Sequence, residues 1–161
     1  MKINRSMRLI SLLTLSTLLA SCASSPSDPA YPQAYRSALV EFDQAAAPSQ
    51  QSLDQFLSVY SGMTATDIGE RVDAAYAPEL YFSDTLHVIH DRDELKAYLQ
   101  ATGERLKAIE VEVMSVTHDG ADVYVRWQMA THFRVAGKDI DATSIGISHL
   151  RFSDAGQVIL H

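Results

Sequence analysis

The chain has 161 residues, of which 47% are hydrophobic and 20% are charged. This length suits one domain, and the apolar fraction supports a packed core, which argues against wholesale disorder. Acidic residues outnumber Lys and Arg by 20 to 13, giving a net charge of −7. We expect no nucleic-acid partner, because such proteins need a basic face that displaces counterions from phosphates. The single Cys excludes an internal disulfide.

The first 21 residues have the pattern of a secretory signal. Residues 2–8 carry three basic residues and no acid, and residues 9–19 are apolar apart from Ser and Thr. This stretch is shorter than the ~20 residues that a permanent transmembrane helix needs. Leu-Ala-Ser then precedes the only Cys, Cys22. The sequence resembles a bacterial lipobox, in which small residues precede a cysteine that receives lipid. An ordinary signal peptide with an incidental Cys is the alternative.

This resemblance implies a lipid-anchored envelope protein. Residues 1–21 would be removed, and Cys22 would carry palmitate-type acyl chains that hold the protein to the membrane. Ala23 follows the Cys in place of Asp, which favours the outer membrane, with the domain in the periplasm. Small, polar and Pro-containing residues predict a flexible tether over residues 22–36. The folded domain is expected over residues 37–161.

The spacing of apolar residues and the positions of helix-capping and helix-ending residues predict that helices dominate the first half of the domain. A Ser, Thr, Asp or Asn followed three residues later by Glu is typical of a helix N-terminus, and Gly or Pro is typical of a helix end. The predicted elements are helices over residues 35–46 and 52–60 (ending at Gly62), a helix capped by Asp67 and stopped by Pro78, a strand over residues 81–89, and a helix opened by Asp91 that runs to about Leu106.

From residue 109 onward, apolar residues alternate with polar ones, which is typical of half-buried strands. Asp119-Gly120 predicts a hairpin turn. The predicted strands cover residues 109–114, 123–134, 140–152 and 157–161. Helices followed by an antiparallel meander predict an α+β fold, with the helices packed on one face of a curved sheet.

Two segments carry a family resemblance: YAPELYFSD at residues 76–84 and LRFSDAGQVI at residues 150–159, separated by a helix and three long strands. In this order they resemble the nuclear-transport-factor-2-like superfamily, which includes SnoaL-like polyketide cyclases, ketosteroid isomerases and limonene epoxide hydrolases. The resemblance covers about residues 50–161. It implies a cone: a strongly curved antiparallel sheet whose concave face is covered by the N-terminal helices and encloses an apolar pocket.

The resemblance also implies two catalytic candidates. Asp84 matches the general base of the isomerases, and as a base its pKa would be raised by desolvation. Tyr60 is as far from Asp84 along the chain as the oxyanion-hole tyrosine of the isomerases is from their general base. The third isomerase residue, a protonated Asp, falls near Ser148, and this departure argues against steroid isomerisation. The alternatives are a strand-end carboxylate that accepts loop N–H groups at Asp84 and a core aromatic ring at Tyr60.

Further residues are predicted to line or rim the pocket. Trp127 and Met129 share the apolar face of the strand predicted over residues 123–134. Such a face is more often core than ligand contact, but in a cone fold the residues that line the core also line the pocket. His87 and His90 lie three residues apart. On a strand, side chains at that spacing point to opposite faces and cannot share a metal ion. We therefore predict no metal site, and we also predict no cofactor. The predicted lining consists of Tyr81, His87, Trp127, Met129 and Ser148.

Three functions remain open from sequence. The first is a domain that binds a small, largely apolar ligand or a protein partner. The second is an acid/base enzyme of the isomerase, cyclase, hydratase or hydrolase type using Asp84 and Tyr60. The third is a structural envelope protein whose sheet face pairs with a partner. Ile145 and Ile147 alternate away from the pocket face, so we expect a homodimer through the outer face of the sheet.

Overall fold

The computed structural model describes residues 30–84 and 86–161, so the predicted signal peptide, Cys22 and residues 23–29 of the tether lie outside the described residues. Residues 35–161 form one compact unit. The helices are α1 (Ala30–Glu41), α2 (Gln50–Ser61), α3 (Ile68–Ala75) and α4 (Arg92–Gly103). The strands are β1 (Tyr76–Ser83), β2 (Val88–Asp91), β3 (Leu106–Asp119), β4 (Asp122–Val135), β5 (Lys138–Phe152) and β6 (Val158–Leu160).

Two of the predicted helix boundaries are confirmed, and one predicted cap is wrong. Asp91 caps α4 by accepting hydrogen bonds from two backbone N–H groups of the first turn, and Gly62 ends α2. Asp67 makes no side-chain cap on α3. Its carboxylate instead accepts a bond from Arg71 Nε at 3.0 Å, because a guanidinium one turn away competes for the same oxygens.

Other boundaries differ from the sequence expectation. Residues 30–36 of the predicted tether lie in α1. Pro78 lies inside β1, which begins directly after α3 at Tyr76. The single strand predicted over residues 81–89 is wrong: β1 ends at Ser83, β2 begins at Val88, and the two strands pair antiparallel. α4 ends at Gly103, before Leu106 opens β3.

The six strands form one curved, unclosed sheet in the order β2-β1-β6-β5-β4-β3. The long hairpins of β3, β4 and β5 form the predicted antiparallel meander. The β1–β6 pair is parallel, a pairing not predicted because it joins the start of the sheet to its end. The α+β class with helices packed on a curved sheet is confirmed.

The hydrophobic core lies between α2, α3, α4 and one face of the sheet. Phe56, Val72, Leu95, Val125 and Phe152 are among its buried side chains. On the other face of β5, Ile145 and Ile147 are 65% and 66% exposed. None of the described helices is both long and apolar enough to cross a membrane.

Candidate functional site

A cavity of about 190 Å³ lies between α2, α4 and the inner face of the sheet. Its wall is mostly apolar, with a few polar groups, which is the usual composition of a small-molecule site. The lining residues are Phe56, Leu57, Tyr60, Met63, Phe82, Ser83, Asp84, Tyr98, Leu99, Thr102, Val111, Trp127, Met129, Ser148 and His161.

Both catalytic candidates, Tyr60 and Asp84, line this cavity, as do Trp127, Met129 and Ser148 from the predicted lining. The other two predicted lining residues lie elsewhere. Because neighbouring strand residues point to opposite faces and Phe82 faces the cavity, Tyr81 points away from it. The Tyr81 ring packs 6.4 Å from that of Tyr35 and 5.6 Å from that of His90.

His87 is also outside the cavity lining. It belongs to the turn between β1 and β2, and its ring centroid lies 4.5 Å from that of Tyr98. Its Nδ1 is 3.8 Å from a carboxylate oxygen of Asp84. His87 therefore contacts the outer side of Asp84 and Tyr98, two residues that do line the cavity.

Asp84 is held by three hydrogen-bond donors. Its Oδ1 accepts bonds from the backbone N–H groups of Leu86 and His87, each at 2.7 Å. Its Oδ2 accepts the hydroxyl of Tyr98 at 2.5 Å. Partial burial alone would raise the pKa of Asp84, but the bonds from Tyr98 and the two N–H groups outweigh it, so the pKa is lowered. The expectation of a raised pKa is wrong.

A network of polar side chains follows the sheet side of the cavity. The hydroxyl of Tyr60 lies 2.7 Å from that of Tyr76 and 3.0 Å from Nδ1 of His161. The Tyr76 hydroxyl is 2.9 Å from the same nitrogen. On the other side of the imidazole, Nε2 lies 2.9 Å from Ser148 Oγ, which also accepts Trp127 Nε1–H at 3.1 Å.

Strand pairing brings these residues together. His161 follows β6 and continues its parallel pairing with β1: its N–H donates to the carbonyl of Tyr81, and its carbonyl accepts from Ser83 N–H, both at 2.8 Å. Trp127 pairs with Gly146 across β4 and β5. A Cβ at position 146 would lie 2.3 Å from the indole ring, so only glycine leaves room for the ring beside Ser148.

The buried network is electrically neutral near pH 7. Burial lowers the pKa of His161 to about 4, so its imidazole carries one proton. Burial likewise raises the pKa of Tyr60 and of Tyr76, so both phenols keep their protons. The cavity therefore combines one ionised carboxylate, Asp84, with neutral hydrogen-bonding groups along the sheet.

Sequence reasoning missed Tyr76, His161 and Tyr98. No site role was assigned to Tyr76 or Tyr98 from the sequence, because nothing local distinguishes a core tyrosine from one whose hydroxyl reaches a site. The parallel pairing of β1 and β6 places His161 at the cavity wall. Within residues 30–84 and 86–161, no three His, Cys, Asp or Glu side chains are placed to hold a metal ion.

Residues 54–161 match the sequence model of the SnoaL-like domain. This chain belongs to the SnoaL-like domain family. Comparison with curated protein sequences gives no match. The family assignment agrees with the resemblance inferred from the two sequence segments and with the observed cone of helices and sheet.

Solved structures show the same fold. An NTF2-like protein of unknown function from Exiguobacterium sp. 255-15 is 14% identical, with 68% of this chain and 92% of that chain covered and a TM-score of 0.57. A SnoaL-like protein from Shewanella denitrificans OS-217 is 16% identical, with coverages of 70% and 88% and a TM-score of 0.58. An LEH-like epoxide hydrolase of M. tuberculosis is 18% identical, with coverages of 71% and 79% and a TM-score of 0.52. At these identities the likeness concerns the fold alone.

Proposed function

We propose that this chain is a bacterial envelope lipoprotein whose SnoaL-like domain binds a small, largely apolar molecule carrying a hydrogen-bond acceptor. The observation that carries the proposal is the pair of hydroxyls, Tyr60 and Ser148, in the wall of a mostly apolar cavity. A cavity of this kind offers burial to a hydrocarbon body and fixes its orientation through a few polar contacts.

Cavity size limits the ligand. An apolar cavity of about 150 Å³ is large enough to take up benzene. The 190 Å³ present here therefore suits a single ring with one or two substituents. Trp127 and Met129 from the sheet and Phe56 and Leu57 from α2 would contact such a ring.

Acid/base catalysis of the isomerase, cyclase, hydratase or hydrolase type is the second candidate. It is supported by the presence of Asp84 and Tyr60 in the wall of one cavity. The contacts of Asp84 weigh against it, because three donors already bind the carboxylate and lower its basicity. We therefore rank ligand binding above catalysis.

The envelope location rests on the sequence. The lipobox-like Leu-Ala-Ser before Cys22 supports lipid attachment, and Ala23 supports the outer membrane, with the domain in the periplasm. Removal of residues 1–21 would take away three of 13 basic residues and none of the 20 acidic ones, changing the net charge from −7 to −10. Such a charge gives no attraction to anionic lipid, so the acyl chains would supply the anchoring.

A protein partner is part of the same proposal. Ile145 and Ile147 are adjacent on the outer face of β5, at 65% and 66% exposure. Exposed isoleucines side by side on a sheet favour burial against another protein surface. We propose that a second copy of the chain covers them in a homodimer, on the face opposite the cavity.

Native mass spectrometry of the mature chain tests the binding function. The expected result is an added mass of a single-ring molecule that is released on unfolding. Met129→Trp, which fills the cavity, should abolish the added mass, whereas Ile147→Lys on the opposite face should retain it. Failure of the wild-type chain to retain any such molecule, or to bind added single-ring compounds, would contradict the proposal.

A further inference from the structure

The network beside the cavity contains five hydrogens that can be donated. Trp127 Nε1–H only donates, each hydroxyl donates one hydrogen, and a neutral imidazole donates from one ring nitrogen while accepting at the other. The donors belong to Tyr60, Tyr76, Trp127, Ser148 and His161. Their arrangement depends on which nitrogen of His161 holds the hydrogen.

Tyr76 restricts the possible arrangements. It is fully buried and does not line the cavity, and its hydroxyl contacts Tyr60 and His161. Because an unsatisfied buried hydroxyl is costly, the Tyr76 hydrogen stays within the network. Tyr60 and Ser148 do line the cavity, so either hydroxyl can turn toward a ligand.

When Nε2 of His161 carries the hydrogen, it donates to Ser148 Oγ, which also accepts from Trp127. Nδ1 then accepts from one tyrosine, and that tyrosine accepts from the other. All these contacts are satisfied, and the Ser148 hydrogen is left over. Ser148 is then the donor available to the cavity.

When Nδ1 of His161 carries the hydrogen, it donates to Tyr76, which donates in turn to Tyr60. Nε2 now accepts the hydrogen of Ser148. The hydrogen left over belongs to Tyr60. The two tautomers therefore present the same number of donors to the cavity, but from opposite sides of the imidazole.

We propose that His161 is the specificity-determining residue of the cavity: by shifting its hydrogen between Nδ1 and Nε2, it supplies one hydroxyl donor, from Tyr60 or from Ser148, to one acceptor oxygen of a neutral ligand such as a ketone. The inference rests on the proposed function, because it requires a ligand in this cavity. It adds that the two hydroxyls substitute for each other, and that a ligand anion is disfavoured beside the carboxylate of Asp84.

Substitutions should drive the tautomer in opposite directions. In Tyr60→Phe, the buried Tyr76 hydroxyl has only Nδ1 to donate to, which requires the Nε2–H tautomer and leaves the donor on Ser148. In Ser148→Ala, an Nε2–H group would be an orphaned buried donor, which is rarer than an unpaired acceptor. That variant therefore favours the Nδ1–H tautomer and leaves the donor on Tyr60.

The test uses the mature chain and two probes of the same shape, cyclohexanone and methylenecyclohexane, which differ in one acceptor oxygen. Trp127 is the only tryptophan and lines the cavity, so its fluorescence reports binding of either probe. ¹⁵N NMR of the His161 imidazole reports the tautomer. The ratio of the two dissociation constants isolates the contribution of the oxygen from that of the ring.

We expect this ratio to change by less than about threefold in Tyr60→Phe and in Ser148→Ala. In the double variant the preference for cyclohexanone over methylenecyclohexane should fall by about tenfold or more. The ¹⁵N spectra should show Nε2–H in Tyr60→Phe and Nδ1–H in Ser148→Ala, without any probe. Tyr124→Phe, the same change at a residue outside the cavity lining, whose ring stacks on that of His149 at 4.8 Å, should alter neither the tautomer nor the ratio.

Different failures have different meanings. If neither probe binds the wild-type chain at millimolar concentration, the proposed function fails and the inference falls with it. If both probes bind but one single variant loses as much ketone preference as the double variant, the donor is fixed and only the inference is overturned. Identical tautomers in the two single variants would also overturn it, and this measurement remains decisive if the double variant does not fold.

Discussion

Replacing Asp84 separates its role in holding a turn from a role in catalysis. In Asp84→Ala, three donors lose their acceptor: the backbone N–H groups of Leu86 and His87 and the hydroxyl of Tyr98. Bonds to a charged acceptor contribute ~1.5–3 kcal/mol each. Leu86 and His87 lie in an exposed turn, where water can replace part of the loss, so we expect a total cost of roughly 2–4 kcal/mol.

Asp84→Asn should cost much less, about 1 kcal/mol. The amide oxygen can still accept both backbone N–H groups, and the amide nitrogen can donate to Tyr98. Urea unfolding followed by the fluorescence of Trp127 measures both variants, with an unchanged m-value required for the comparison. Asp54→Ala, at an exposed carboxylate on α2, serves as the control and should change stability by less than ~0.5 kcal/mol.

The pH dependence provides a second measurement. Because the pKa of Asp84 is lowered in the folded chain, the ionised carboxylate stabilises the fold at pH values above its unfolded pKa of about 3.9. That contribution disappears as the pH falls through the lower folded value. The stability difference between the wild type and Asp84→Asn should therefore shrink below about pH 4. A difference that instead grows on acidification, or a cost below ~0.5 kcal/mol in Asp84→Ala, would refute the turn-holding role.

Three further changes test the anchor, the outer face and the cavity wall. Cys22→Ser should release the protein from membranes or leave uncleaved precursor; unchanged cleavage and fractionation would contradict lipidation. The wild-type domain should be a dimer at micromolar concentration by light scattering and Ile147→Lys a monomer, and a wild-type monomer over that range would remove the dimer proposal. Gly146→Ala should displace the Trp127 ring, costing ~1–3 kcal/mol by overpacking and changing its fluorescence. Gly69→Ala, whose Cβ would meet only flexible side chains at 3.2 Å and beyond, should not destabilise the chain.

Local signals in the sequence predicted the elements whose causes are local. The cap at Asp91 and the end at Gly62 depend on neighbouring residues, and both are present in the structure. Asp67 has the same local pattern, but Arg71 competes for its oxygens. The division of the predicted strand into β1 and β2 was missed because it depends on the side chain of Asp84, which accepts hydrogen bonds from the backbone N–H groups of Leu86 and His87.

The residues of the candidate site likewise include some that could be predicted from the sequence and some that could not. Tyr60, Asp84 and Ser148 were accessible from sequence because the family pattern fixes their separation along the chain. Tyr76 and His161 are 85 residues apart and meet at 2.9 Å only because β1 and β6 pair in parallel. No local pattern encodes that pairing, so the imidazole at the centre of the network could not be predicted.

The distribution of charge in the cavity limits what chemistry Asp84 can perform. As a general base, the carboxylate must take a proton from a substrate, and the bond from Tyr98 at 2.5 Å stabilises its ionised form against doing so. The hydroxyls on the sheet side are uncharged and can stabilise a developing oxyanion, but without a stronger base they bind a carbonyl oxygen more readily than they activate it. Catalysis would therefore require the Tyr98 hydroxyl to leave Asp84 when a substrate enters, whereas binding requires no rearrangement of either group.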